Sequence, residues 1–289
     1  MGKMRTIAII QARMGATRLP GKVLLHIAGQ PMLVRVVERV RHATLLDGFM
    51  VATTTEVQDE PVAELCRARG YPCFRGSQQD VLDRYYQAAR QIDAQVVVRI
   101  TADCPVIDPQ LIDEMVQIVQ SSLVNRQPSL DFAANRLPPP WSRTYPIGLD
   151  VEVCTFIALE RAWREADQPY QREHVMPYLY EGASPDTHLP FLVTRHSTIT
   201  TGSTPRGFHI ALLNHDPDYG ALRWTVDTPE DLELIRQVYG RFGGRDDFGW
   251  QEILTLFDGE PELARLNAGI QAKRMKDAEK SEGETHVQN

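Results

Sequence analysis

Short apolar runs alternate with amphipathic stretches over roughly the first 120 residues. Residues 6–10 form an apolar run of strand length. From Pro31 the apolar positions Leu33, Val36, Val37 and Val40 recur at helical spacing. Residues 49–53 read as a second strand, and Val62, Leu65 and Cys66 as a helix stopped by Gly70. Residues 73–75 make a short third strand, after which Asp80 stands as N-cap to a helix carrying Val81, Tyr85 and Ala88. Residues 96–100 are the clearest buried strand, and 111–119 are helical again. Strands alternating with helices of about ten residues predict βαβ units and a mainly parallel sheet.

The middle of the chain is less regular. Residues 125–145 hold Pro138–Pro140 and Trp141, a pattern that predicts a projecting loop or arm. Residues 149–153 resume strand character, 157–163 and 174–180 read as helices, and 191–194, 210–213 and 222–225 as strands. Thr228, with Pro229 at the first helical position and Asp231 in the first turn, is a strong helix start. Charged and polar residues dominate 271–289, which predicts a disordered tail. The expectation is one α/β domain over 1–270, with an arm and substrate region at about 125–220.

Composition narrows the function classes. The 289 residues carry 31 Lys plus Arg against 38 Asp plus Glu, a net charge of −7, which argues against nucleic acid as a partner. No apolar run reaches membrane-span length, and residues 1–11 lack the pattern of a signal peptide. The four cysteines form no CxxC pair, so scattered free thiols and a reducing cytoplasm are expected.

The informative stretch is Gln11-Ala-Arg-Met-Gly-Ala-Thr-Arg-Leu-Pro-Gly-Lys22, which follows the first strand. Ligands of open α/β sheets bind beyond the carboxyl ends of the strands, where this loop must lie. Glycines let backbone N–H groups approach phosphate oxygens, and Arg13, Arg18 and Lys22 can neutralise them. It is not a Walker A loop, because five residues separate Gly15 from Gly21 and Val23 stands where Ser or Thr would be. A solvated basic loop is the plain alternative.

Asp103 ends the run Val98-Arg-Ile-Thr-Ala-Asp103, and Asp227 ends Arg223-Trp-Thr-Val-Asp227. Each could be only a turn or helix cap, although Thr228 already holds the better cap position. Two strand-end carboxylates beside a cationic loop suit Mg²⁺ with a triphosphate.

At this point the residues resemble a known family. The loop Gln11–Lys22 looks like the signature of the cytidylyltransferases that make CMP-activated acidic sugars, the CMP-Kdo and CMP-acylneuraminate synthetases, and more closely their spore-coat polysaccharide branch. Arg75-Gly-Ser-Gln-Gln-Asp-Val-Leu-Asp-Arg-Tyr85, Gly148-Leu-Asp-Val-Glu152 and Arg172-Glu-His-Val-Met-Pro-Tyr178 resemble the same branch, so the likeness runs from about residue 5 to 240. It implies a nucleotide-diphospho-sugar-transferase-like (GT-A-like) fold, a mainly parallel sheet with helices on both faces. It also implies CTP as co-substrate and Mg²⁺ as cofactor. Lys22 and Arg13 would bind the triphosphate and Asp103 and Asp227 the metal, these four being the catalytic set. Arg18 would be a further phosphate contact, and Gln11, Ala12 and Gly15 complete the loop's nucleotide set. Ser77 and Asp80 are candidates for the ribose or base, with helix capping an equal account of Asp80.

For the acceptor, His174 stands where the branch places a histidine beside the substrate; a hydrogen-bonded helix histidine is as good a reading. Arg172 shares that ambiguity. Asp150 and Glu152 share one strand face and could contact sugar hydroxyls or pair with Arg143. The implied reaction moves CMP from CTP to an acidic sugar of the nonulosonic type, or to a phosphorylated acceptor, for surface polysaccharide synthesis. The resemblance also implies a homodimer, for which the arm with Trp141 and Tyr145 is the candidate interface. The alternative is a glycosyltransferase on a related fold, whose DxD-type pair is approached only by Asp150-Val-Glu152 and Asp216-Pro-Asp218. A non-catalytic nucleotide-binding module is a third reading.

Overall fold

Elements follow the apolar alternation closely over the first half of the chain. The computed structural model describes residues 4–125, 129–186, 191–192 and 196–270. In chain order they form β1 (Thr6–Gln11), β2 (His26–Ile27), β3 (Gln30–Pro31), α1 (Met32–Arg41), β4 (Gly48–Thr54), α2 (Glu60–Arg69), β5 (Cys73–Gly76), α3 (Val81–Gln91), β6 (Val96–Thr101) and α4 (Pro109–Asn125). There follow β7 (Phe132–Ala134), β8 (Glu152–Thr155), α5 (Phe156–Glu165), α6 (Pro169–His174), α7 (Pro177–Tyr180), β9 (Ser184–Pro185), β10 (Phe191–Leu192), β11 (Ser197–Ser203) and β12 (His209–His215). The last are α8 (Pro229–Arg241), α9 (Trp250–Gly259) and α10 (Glu262–Arg265).

One sheet runs in the order β5-β4-β1-β6-β8-β7-β12-β11-β10, with β9 beside β11. Strands β5, β4, β1 and β6 are parallel. β8 is antiparallel to both β6 and β7, and β12 is parallel to β7. Side chains of the central strands alternate between two apolar layers. Ala8, Ile10, Val96, Val98 and Ile100 pack with α1, α4, α8 and α9, and Ile7, Ile9 and Val97 with α3, α5 and α7. Burial on both faces is why these strands read as unbroken apolar runs.

The chain leaves β1 toward β4 and β5 on one side, and β6 takes the other. Strand order therefore reverses between β1 and β6, which opens a crevice at their carboxyl ends. Gln11 and Thr101 are register partners there, so the loop after β1 and the turn at Asp103 emerge side by side.

The second half departs from expectation in three places. The arm expected over residues 125–145 contributes β7 to the interior of the sheet, and its aromatics are inside: Trp141 is 9% and Tyr145 2% exposed. Trp141 Nε1 donates to the Ala183 carbonyl (3.1 Å), and Tyr145 packs on Trp250 of α9, so neither supplies the exposed interface anticipated for it. The strand expected over 222–225 does not form: a single β-bridge, Arg223 to Ile147, stands there, flanked by hydrogen bonds of Leu222, Trp224 and Thr225 to the same Ile147 peptide. The helix expected over 174–180 is broken into α6 and α7. The expected tail, 271–289, lies outside the described residues. Among those described, no helix is long and apolar enough to cross a membrane.

Candidate active site

The loop after β1 folds on one peptide unit. The Met14 carbonyl accepts from both Ala16 N and Gly21 N (2.9 Å each). Gly21, at φ +68°, adopts a conformation that side chains disfavour and turns the chain into a short 3₁₀ turn, Lys22–Leu24, that buries Lys22. The Lys22 ammonium donates to Asp103 Oδ2, Asp227 Oδ1 and the Val226 carbonyl, each at 2.8 Å.

Asp227 is held from the other side as well. Arg18 Nη2 (2.8 Å) and Arg223 Nη2 (2.7 Å) donate to its Oδ2. Arg223 is fixed in turn by the wholly buried Asp231, which also accepts the backbone N–H groups of Asp227 (3.0 Å) and Thr228 (3.1 Å). Thr228 caps α8, and Asp227 is left to face the crevice. Burial raises the affinity of Asp227 for a proton, but the charge and hydrogen bond of Lys22, with Arg223 and Arg18, overcome it and bring the carboxyl to about 2. Burial acts on Lys22 in the opposite sense, and Asp103 and Asp227 outweigh it, so the ammonium is held above its usual range.

Gln11, Arg13, Gly15, Arg18, Lys22, Asp103 and Asp227 line one cavity of about 230 Å³, with Ala16, Thr17 and Thr101. Ala12 is buried beneath it, its N–H donating to Ala52 (3.1 Å). A second cavity of about 390 Å³ adjoins the first and shares Thr101, Asp103 and Asp227 with it. Asp150, Glu152 and His174 line this one, together with Arg99, Arg136, Arg143, Arg223 and Tyr180. Most of its charges are already paired: Arg143 with Asp150, Arg99 with Glu152 (2.5 Å). Arg136 is different. Its nearest carboxylate, Asp150, is 3.9 Å from Nε, which is buried and has no hydrogen-bond partner.

His174 ends α6, where Met176 N donates back to its carbonyl (2.9 Å) across Val175 at φ +71°, ψ −57°. That tight turn, strained for a β-branched residue, breaks the expected helix and leaves the imidazole at the cavity wall. Burial, then Arg99 and Arg136, hold His174 below its usual pKa against the opposing pull of Glu173 and Glu152.

Three anticipated residues sit elsewhere. Asp80 caps α3 by accepting Asp83 N (2.8 Å) and pairs with Arg172 (3.1 Å to Nε); Ser77 Oγ accepts Asp80 N (2.9 Å). None of the three lines either cavity, and neither does Asp216 or Asp218. Conversely, Arg99, Arg136, Arg223 and Tyr180 were not anticipated in the site. Arg99 carried a signal, being a lone charge inside the apolar strand 96–101.

A metal fits the donor set. Among the described residues there is no cluster of three or more candidate ligands, but two carboxylates converge on one cation at the crevice. Mg²⁺ commonly takes one or two carboxylates and completes its shell with substrate phosphates and water.

The family model described as Cytidylyltransferase matches residues 7–240. The chain belongs to the cytidylyltransferase family. It is therefore a CTP-dependent nucleotidyltransferase. An uncharacterised protein of Methanocaldococcus jannaschii is 33% identical over 279 residues, covering 96% of this cytidylyltransferase and 100% of the relative. The spore coat polysaccharide biosynthesis protein SpsF of Bacillus subtilis is 31% identical over 260 residues, 89% of this chain and 95% of its own. A solved cytidylyltransferase from Leptospira borgpetersenii superposes with a TM-score of 0.76 at 28% identity, covering 94% and 100% of the two chains. The family match takes in both cavities of this cytidylyltransferase and ends before α9. Beyond it, Asn267 Nδ2 reaches back to donate to Asp231 Oδ1 (2.8 Å) and the Arg223 carbonyl (2.9 Å).

Proposed function

We propose that this cytidylyltransferase transfers CMP from CTP to an acidic acceptor of the nonulosonic-acid type, releasing pyrophosphate, in surface polysaccharide synthesis. The observation that carries the reading is the pair of adjoining cavities, one walled by a cationic loop and one by arginines, with Asp103 and Asp227 common to both. The relative named for spore coat polysaccharide synthesis supports the pathway class.

Gln11, Gly15 and the cations Arg13, Arg18 and Lys22 take the nucleotide in the first cavity. Asp103 and Asp227 would hold Mg²⁺, which supplies charge neutralisation at the phosphates and geometric constraint on them. In the second cavity Arg136 pairs with the acceptor's acidic group, while Asp150 and Glu152 offer oxygens to its hydroxyls. The acceptor hydroxyl oxygen attacks the α-phosphorus as the bond to the bridging oxygen of pyrophosphate breaks. His174, whose pKa burial holds below its usual value, takes the hydroxyl proton. Lys22 and Arg13 balance the charge that builds on the departing pyrophosphate. The free thiols of Cys66, Cys73, Cys104 and Cys154 support a reducing, cytoplasmic setting. A homodimer belongs to the same reading, and sedimentation at micromolar concentration tests it.

The deciding experiment measures pyrophosphate release with Mg²⁺ and each of CTP, UTP, ATP and GTP, over a panel of 2-keto-3-deoxy acid sugars and sugar phosphates. CTP-selective release with an acid sugar supports the reading. Release only with a sugar phosphate replaces the acceptor class. Turnover of a finished nucleotide-sugar in its place would favour a glycosyltransferase.

A further inference from the structure

The loop after β1 carries the three cations, and of its residues Met14 and Leu19 pack against the core. Arg13, Gly15, Thr17 and Pro20 are exposed, and the Met14 carbonyl accepts two of the backbone hydrogen bonds that close the turn, from Ala16 N and Gly21 N, with a third running from Lys22 N to the Leu19 carbonyl. At its far end the loop is tied down by Arg18 and Lys22 on Asp103 and Asp227; at its near end the Met14 peptide carries the turn. Its N–H donates to Asp59 Oδ1 at 2.6 Å, across 45 residues of chain.

Asp59 is an unusual acid. It occupies the N-cap position of α2, yet its side chain makes no capping bond to that helix. It is wholly buried, and its second oxygen, Oδ2, accepts the hydroxyl of Thr54 at the end of β4. Burying a carboxylate is costly unless donors meet it, so a capping residue turned away from its own helix asks for an explanation elsewhere. Both its oxygens are spent on linking the β1 loop to the β4 end. Asp59 lines neither cavity.

We propose that Asp59 is the positioning residue for the nucleotide loop: it clamps the Met14 N–H, and through the Met14 carbonyl sets Arg18, Gly21 and Lys22 in register with Asp103 and Asp227. This rests on the reading of that loop as the triphosphate site. Loss of the clamp lets the turn drift as a unit, and a shift of about 1 Å is enough to cost on the order of 10²-fold in a phosphoryl-transfer reaction.

The test uses the full chain with Asp59→Ala and Asp59→Asn. An asparagine can still accept the Met14 N–H through its amide oxygen, with the Thr54 hydroxyl turned to accept from its NH₂ group, so it is the rescuing variant. Two readouts are taken: trypsin cleavage after Arg13 and Arg18 without nucleotide, and KM for CTP against KM for the acid that supports pyrophosphate release. The expected result for Asp59→Ala is loop cleavage and KM for CTP each raised about tenfold or more, with KM for the acid unchanged and Asp59→Asn within about threefold of wild type. A folded Asp59→Ala protein with wild-type loop cleavage overturns the proposal, as does one whose two KM values rise together. Should Asp59→Ala not fold, Thr54→Val carries the test by freeing one carboxylate oxygen; unchanged loop cleavage in that variant overturns it equally. If the wild type turns over no CTP, the functional reading fails, while the cleavage rates still decide whether Asp59 holds the loop.

Discussion

The ammonium of Lys22 and the carboxylate of Asp227 meet at 2.8 Å across 205 residues of chain, and the same ammonium reaches Asp103 at the same distance. One buried cation thus bridges both carboxylates that are suited to a metal. Removing Lys22 leaves Asp103 facing Asp227 with only Arg18 and Arg223, on the far oxygen of Asp227, to offset the charge. Lys22→Met is expected to lower turnover by about 10²–10³, as for a lost preorganised donor to a developing anion. In EDTA the variant should melt below wild type, and added Mg²⁺ should raise its melting temperature more than it raises that of wild type. Calorimetry with and without the metal checks this. A Mg²⁺ shift no larger than wild type's would mean that Lys22 does not stand in for a cation.

The depressed Asp227 carboxyl makes a statement about acid stability. Its proton affinity drops from the usual 3.8 to about 2 on folding, so the unfolded chain binds more protons between those values. The stabilisation is fully present above about pH 4 and is lost as pH falls through about 2, a contribution on the order of 2 kcal/mol. Asp227→Asn should lose less stability than wild type between pH 4 and 2. Chemical denaturation at several pH values in that window reads the difference, and parallel curves for the two proteins would count against the pairing with Lys22.

Gly148 lets the backbone pass close against Trp224 and Thr225, just before Asp227. It lies at φ +109°, and a Cβ there would stand 2.5 Å from Thr225 N and 2.7 Å from the Trp224 carbonyl carbon. Backbone cannot yield at that point without moving Val226 and Asp227, because Trp224 N and Thr225 N both bond to the Ile147 carbonyl (2.6 and 3.1 Å). Gly148→Ala should destabilise the fold by about 3 kcal/mol, from strain and clash together. It should also weaken Mg²⁺ dependence through Asp227. Equilibrium unfolding that finds less than about 1 kcal/mol would show that the two segments can separate cheaply.

How far the chain could be read in advance follows from how local each signal is. Strands β1 and β6 and the cap at Thr228 depend on neighbours in sequence, and they stand where periodicity and cap chemistry put them. The loop cations and the two strand-end aspartates converge because the sheet brings all strand carboxyl ends to one edge. The second cavity was harder to see. It needs β8 inserted between β6 and β7, and β7 has only three residues, too few for any periodicity. Strand β11, Ser-Thr-Ile-Thr-Thr-Gly-Ser, has almost no apolar face and exists through its pairing with β12. Trp141 and Tyr145 in a proline-rich stretch suggested an exposed surface. They are buried because Ala183 and Trp250, 42 and 105 positions away, come to cover them.

The remaining prediction separates binding from chemistry in the second cavity. Arg136 meets its carboxylate, Asp150, only at 3.9 Å, whereas Arg99 and Arg143 each donate to a carboxylate at 2.5 Å. An anionic acceptor can therefore engage Arg136 by displacing only a long ion pair, that with Asp150 at 3.9 Å. Arg136→Gln should raise KM for the acceptor by about 30-fold, the worth of one charge-assisted hydrogen bond near 2 kcal/mol, and leave KM for CTP as it was. His174→Gln should act on rate instead. With its pKa held below 6.5 by burial and by Arg99 and Arg136, a proton-accepting His174 gives kcat an acid limb below that value. The variant should lose the limb and most of kcat at pH 7. Deleting Arg136 as well would let the His174 pKa rise toward its ordinary value, so the limb in Arg136→Gln should move to higher pH. An acid limb that survives in His174→Gln would assign the proton to another group, and a limb unmoved in Arg136→Gln would mean the two side chains do not share the cavity in solution.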